Sequence, residues 1–198
     1  MKTVTDPPRP PPTLETARLV LRPLTHADVP ALFGIFSDPA VVRYWSRPPM
    51  TDRMQARRLV TDVRAGYRKG NLLQLGITLH DAGTLIGTCT LFAISAQNRR
   101  AELGYALGHA YWGQGYMHEA LVRLVQYAFD ELGLHRLEAD IDPDNAASAR
   151  TLGRLGFSRE GLMRERWIVA GTISDSEMYG LLRSEWNDLA ATAGPEGP

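Results

Sequence analysis

A glycine turn, Gly113-Gln114-Gly115, runs without interruption into a long amphipathic stretch, and this pairing most constrains what the chain can fold into. Past the turn, Met117, Ala120, Leu121, Leu124, Val125, Ala128 and Leu132 fall on one side at helical spacing, and Gly133 ends the pattern. The first turn of a helix carries unpaired N–H groups and a partial positive charge, and glycines let the main chain wrap closely around an anion. The arrangement predicts a phosphate-bearing ligand. Its spacing is neither that of the P-loop, G-x-x-x-x-G-K-[ST], nor that of the dinucleotide fingerprint, G-x-G-x-x-G followed by an acidic residue. The turn alone leaves the identity of the phosphate open.

The rest of the chain narrows the choice. Its 198 residues suit a single domain able to bury roughly 70% of its unfolded surface without metal or disulfide staples. Lys+Arg and Asp+Glu both number 22, so no bulk field favours nucleic acid or an anionic membrane. The single cysteine, Cys89, sits in the apolar alternation TLIGTCTLF and is expected to be a buried, inert thiol. No apolar run approaches the length of a membrane span and the N-terminus lacks an export pattern, which makes the cytoplasm the expected compartment.

Pro7, Pro8, Pro10, Pro11 and Pro12 mark residues 1–13 as an extended, disordered arm, and residues 191–198 are expected to be a flexible tail. Between them, over 14–190, the hydrophobic period switches repeatedly between strand and helix, which predicts one α+β domain. ARLVLRPL alternates and leads to Thr25, a candidate N-cap with Asp28 three residues on, before helically spaced Val29, Leu32, Phe33 and Phe36. A second helix spans about 51–67, with Ala56, Leu59, Val60, Val63 and Tyr67 on one face and arginines elsewhere. LLQLGITLH and TLIGTCTLFAI flank a hairpin turn at Asp81-Ala82-Gly83, and AELGYAL extends the meander. HRLEADI is a further strand, residues 145–155 a short capped helix, and the remainder a hairpin turning near Ala170-Gly171.

This order of elements, with several local motifs, resembles the GNAT acyl-coenzyme A N-acyltransferases, and specifically their Rim-type ribosomal-protein-alanine N-acetyltransferase branch. The resemblance rests on LETARLVLRPLTHADVPALFGIFSDPAVV, AELGYALGHAYWGQGYMHEAL, DNAASARTLGRLGF and DSEMYGLLRSEW. It implies a mixed, mostly antiparallel twisted sheet of six or seven strands flanked by about four helices. The fourth and fifth strands, here AELGYAL and HRLEADI, would splay apart. Two positions depart from the family pattern: Ala110 stands where the turn often begins with Gln or Arg, and Leu152 where many members carry a tyrosine acid.

The resemblance also implies acetyl-coenzyme A as co-substrate and no metal. Its pyrophosphate would rest on Trp112, Gly113, Gln114, Gly115, Tyr116 and Met117, and its pantetheine arm would bond the main chain of Tyr105, Ala106 and Leu107 like an added strand. An amine attacks only when neutral, and an α-amine is mostly protonated at pH 7. Glu102 is the candidate base, acting through a water, against the alternative of a carboxylate merely paired with Arg99 or Arg100. Ser148, on one helix face with Asn145, is the candidate donor to the leaving thiolate, with Tyr105 and Tyr116 as substitutes. Asn145 is an N-cap and a candidate pantetheine contact. His109 and His118 lack metal-ligand spacing. Tyr44, Trp45, Asp175 and Tyr179 are weaker candidates for an acceptor pocket.

The expected activity is transfer of acetyl to a primary amine, with the N-terminal α-amine of a protein as leading acceptor. The alternatives are a small-molecule amine (polyamine, amino acid or antibiotic) and a non-catalytic acyl-coenzyme A sensor. The expected state is a monomer or homodimer.

Overall fold

The computed structural model describes residues 11–186, so most of the proline-rich arm and all of the tail lie outside the described residues. Eight strands form one sheet in the order β1-β2-β3-β4-β5-β6-β8-β7. They are β1 (Leu14–Glu15), β2 (Leu19–Pro23), β3 (Leu72–Leu79), β4 (Leu85–Ser95), β5 (Arg100–Leu107), β6 (Arg136–Ile141), β7 (Ser158–Val169) and β8 (Thr172–Leu182). The two-residue β1, which pairs with Leu21 and Val20, is too short for periodicity to reveal. Every neighbouring pair is antiparallel except β5 and β6.

The helices are α1 (Val29–Phe36), a single turn α2 (Pro39–Val42), α3 (Arg53–Arg68), α4 (Tyr116–Gln126) and α5 (Ala146–Arg154). Alternation along the strands sends apolar side chains to both faces of the sheet, and each face is covered by its own helices. On one side Leu21, Leu75, Cys89, Leu103 and Leu137 pack with Leu121 and Leu124 of α4 and Leu152 of α5. On the other, Leu85 and Ala106 pack with Leu32, Ile35 and Phe36 of α1 and Val60 and Val63 of α3. Leu121 and Leu124 are fully buried, worth roughly 2 kcal/mol each in area removed from water.

Asp52 caps α3 by accepting the Met54 N–H at 3.0 Å. The helix after the glycine turn does not stay α-helical to Leu132. Tyr127–Glu131 form a wider π turn, closed by the Leu132 N–H on the Tyr127 carbonyl at 3.0 Å. Tyr127, Ala128 and Phe129 are all buried, and a widened turn brings three consecutive residues inward where a 3.6-residue period would expose one.

Candidate active site

Gly113 and Gly115 adopt φ of 74° and 79°, the left-handed region that a side chain disfavours. Gly115 serves as the N-cap of α4, so the N–H groups of Tyr116, Met117 and His118 open the helix without intrahelical partners. The turn is braced from three directions. The Gln114 amide donates to the Ala110 carbonyl at 3.1 Å, the Trp112 indole N–H donates to the Leu107 carbonyl at 2.7 Å, and Arg18 Nη1 donates to the Gln114 carbonyl at 3.0 Å. Ala110 lines an open hollow of about 600 Å³ shared with Gly34, Asp38 and Val41. An anion fits the turn because no side chain stands over Gly113: a Cβ placed there would meet nothing within 4 Å.

The β5–β6 pairing spans only Arg100↔Arg136, Ala101↔Leu137 and Glu102↔Glu138, whereas β5 continues to Leu107. The strands part beyond Glu102, forming the splay. The Gly108 N–H donates to the Ile86 carbonyl of β4 at 2.8 Å. Since successive main-chain groups of a strand point to opposite edges, those of Tyr105 and Leu107 turn into the gap and those of Ala106 turn toward β4. Ala106 is therefore not brought to the gap, and its methyl is buried under α1 and α3. The Leu107 carbonyl already accepts the Trp112 indole, leaving Tyr105 as the residue with both main-chain groups directed there.

Tyr105 projects its ring on the α4 and α5 side, and its hydroxyl donates to the Ser148 main-chain carbonyl at 3.5 Å. Burial pushes the Tyr105 phenol up to about 12. The Asn145 side chain accepts the Ser148 N–H at 3.1 Å, so α5 starts in the first turn that carries the serine. Leu152 is fully buried in the core and offers no donor to the gap. Tyr116 carries the Arg18 guanidinium 4.5 Å above its ring.

On the opposite face, Glu102, Glu138 and Asp140 line up across β5 and β6. Two of the three are occupied. Glu138 takes Arg100 Nη1 at 2.5 Å and Arg136 Nε at 2.8 Å, and Asp140 takes Arg166 Nε at 2.6 Å, the Trp167 indole at 3.3 Å and the Ser176 hydroxyl. Glu102 has neither a side-chain hydrogen bond nor an ion pair among the described residues, so the expected alternative of a pair with Arg99 or Arg100 is not what the structure shows. Burial first, then repulsion from Glu138 and Asp140, holds its carboxyl above the ordinary carboxylate range despite Arg166 and Arg100.

Phe92 stands opposite Glu102 on β4, and its ring lies over Gly104, where a Cβ would come within 3.3 Å of Cε1. Sequence reasoning missed Phe92, Arg18 and Asp140; an exposed aromatic at the end of an apolar run was the available signal for the first. Trp45 packs edge-on against Phe36 at 5.0 Å on the α1–α3 side, the side of Glu102, and its neighbour Tyr44 carries the Arg43 guanidinium 5.2 Å from its ring. Asp175 and Tyr179 do not join them. They share the parity of Leu181 on β8, facing α4 and α5; Asp175 accepts the Glu165 N–H at a β-bulge and Tyr179 donates to Glu177. His109 leans on Trp112 at 4.5 Å, and His118 has a buried Nδ1 and a pKa lowered by burial and by Arg154.

A strand splayed from its parallel neighbour and a glycine-opened helix beside the gap are the arrangement expected of an acetyl-transfer enzyme. The model of the acetyltransferase (GNAT) domain matches residues 18–158, and the chain belongs to that family of N-acetyltransferases. It is 37% identical over 174 residues to an uncharacterized N-acetyltransferase, p20, of Bacillus licheniformis, covering 88% of this chain and 98% of that protein. It is 26% identical to the ribosomal protein uS5-alanine N-acetyltransferase of Escherichia coli, covering 87% and 92%. The fold is shared with spermidine N-acetyltransferase from Vibrio cholerae, solved in complex with CoA and spermine, at a TM-score of 0.77, 20% identity and coverage of 87% and 99%.

Proposed function

We propose that the protein moves acetyl from acetyl-coenzyme A onto the N-terminal α-amine of a protein, with Glu102 taking the amine's proton through a water and Ser148 donating to the departing sulfur. One observation carries the reading: of the three carboxylates that line up on β5 and β6, Glu102 alone is left without a partner among the described residues. A lone, partly desolvated carboxylate suits a base for one amine. A polyamine would call for several unpaired carboxylates, whereas Glu138 is bonded by Arg100 and by Arg136, which it shares with Glu160, and Asp140 is bonded by Arg166. Exposed Phe92, Met163 and Trp167 add apolar surface on the same side for the residues that follow a peptide's first amine. The similarity to the uS5-alanine enzyme points the same way.

The test is thiol release from acetyl-coenzyme A with three acceptors: peptides with a free N-terminus, the same peptides blocked at the N-terminus but bearing lysine, and spermidine. Turnover confined to free N-termini is expected. Turnover with spermidine alone would transfer the assignment to small amines, and tight coenzyme A binding with no release from any acceptor would make the protein a sensor.

A further inference from the structure

Ala110 removes the side chain that often grips the start of this turn, yet the turn is held by a residue almost a hundred positions earlier. Arg18, in the bend between β1 and β2, reaches across to α4. Its Nε donates to Glu119 Oε2 at 2.6 Å, its main-chain N–H to Oε1 of the same carboxylate at 2.8 Å, and its Nη1 to the Gln114 carbonyl at 3.0 Å. Thr16 adds a hydroxyl to Glu119 Oε1 at 2.6 Å. Burial raises the Glu119 carboxyl, but the bonds from Thr16 and Arg18 outweigh it and keep it below its ordinary value, hence ionised.

Two consequences follow from elementary geometry. In a trans peptide the carbonyl and the next N–H point in opposite directions, so fixing the Gln114 carbonyl on Arg18 fixes the Gly115 N–H on the other side. A peptide plane next to a glycine is otherwise free to flip, because glycine tolerates either sign of φ. Second, Glu119 is an anion in the first turn of α4, where it would oppose a phosphate; Arg18 cancels that charge.

We infer that Arg18 is a positioning residue for the acyl-coenzyme A pyrophosphate, latching the Gln114–Gly115 peptide with its N–H aimed into the turn and neutralising Glu119. This rests on the coenzyme A reading of the turn. Titration of coenzyme A and of pantetheine, which lacks the pyrophosphate, into 15N-labelled wild type, Arg18→Met and Arg18→Lys separates the possibilities. The Kd for coenzyme A should rise roughly tenfold in Arg18→Met, as for loss of a charged hydrogen bond. It should rise several-fold in Arg18→Lys, whose single ammonium does not reproduce the fork between Glu119 and Gln114. The Kd for pantetheine should change less than twofold in both. Unchanged coenzyme A affinity in either folded variant, or equal losses for both ligands, overturns the role. Should Arg18→Met fail to fold, the lysine variant decides. A wild type that binds neither ligand removes the coenzyme A reading itself and this role with it.

Discussion

The hydroxyl of Tyr105 lies 3.5 Å from the main-chain carbonyl of Ser148, tying the splayed strand β5 to the first turn of α5 across the mouth of the gap. The bond is long and directed at a carbonyl, which leaves the Ser148 hydroxyl free to turn toward a departing sulfur. Ser148→Ala should lower kcat about tenfold or more, and Tyr105→Phe by less than about threefold. Steady-state rates at saturating acetyl-coenzyme A check this; the opposite ranking would make Tyr105 the donor.

Glu102→Gln should affect rate and stability in opposite directions. If Glu102 is the base, the wild-type rate should rise with pH as its carboxyl, held above its ordinary range by burial and its acidic neighbours, ionises, and the variant should lose that limb of the profile. For a carboxyl whose folded pKa is raised, its contribution to stability is full below the unfolded pKa and is lost as pH rises through the folded one. The variant should therefore unfold at a higher temperature than wild type at pH 7, with the difference vanishing at low pH. A lower Tm at pH 7 would contradict the environment described.

Gly113→Val and Gly115→Val should each abolish measurable coenzyme A binding in a folded protein. No protein atom stands within 4 Å of a Cβ at Gly113, so a valine there would fill the open space that the pyrophosphate would take, in addition to a conformational cost of about 1–2 kcal/mol for a left-handed L-residue. At Gly115 a Cβ would also press on Arg18 Nη2 at 3.4 Å. Ala110→Arg should bind coenzyme A normally, since the hollow beside it has room and Asp38 lines it. Calorimetric titration of circular-dichroism-validated variants tests all three, and normal affinity in either valine variant would remove the turn from the binding site.

Asp28→Asn should cost about 3 kcal/mol, the consequence of stranding Arg22 beside a neutral group. Asp28 is 6% exposed and accepts Arg22 at 2.7 and 2.9 Å and the Thr25 N–H at 2.7 Å. Burial raises its carboxyl, but those bonds outweigh it and hold it below its ordinary value. That stabilisation is present above the unfolded pKa and is lost as pH falls through the folded one. Urea unfolding should show a wide gap between wild type and variant at pH 7 that narrows in acid.

Cys89 should resist thiol reagents until the protein unfolds, because it is fully buried and burial pushes its thiol up to about 12. Labelling in the native state at a rate above global unfolding would show local opening of β4.

Much of this was legible in the residues because local rules and tertiary packing agree. The stripe from Met117 to Ala128, the Asn145 cap and the Asp81-Ala82-Gly83 turn each specify their structure within a few positions. The site was less legible where it depends on pairing partners. Nothing near Glu102 in the chain reveals that Arg100 would choose Glu138, since that choice follows from the parallel register of two strands. The face taken by Asp175 and Tyr179 was hidden for the same reason: strand parity decides it, and the register of β8 against β6 fixes parity only in three dimensions. Arg18 escaped notice because its partners, Gln114 and Glu119, lie beyond any local window.

The short β5–β6 pairing also has a mechanical meaning. Among the described residues, three β5–β6 residue pairs, the Arg99 carbonyl that accepts the His135 and Arg136 N–H groups and the Arg100–Glu138 ion pair join β1–β5 to β6–β8 along the sheet. There the amides of β5 and β6 that face the gap should exchange faster than those of the same strands that pair with β4 and β8. A ligand lying along the gap would act as a suture, and its tightening could be followed residue by residue as slowed exchange at Leu103, Tyr105 and Asp140 even before any turnover is observed.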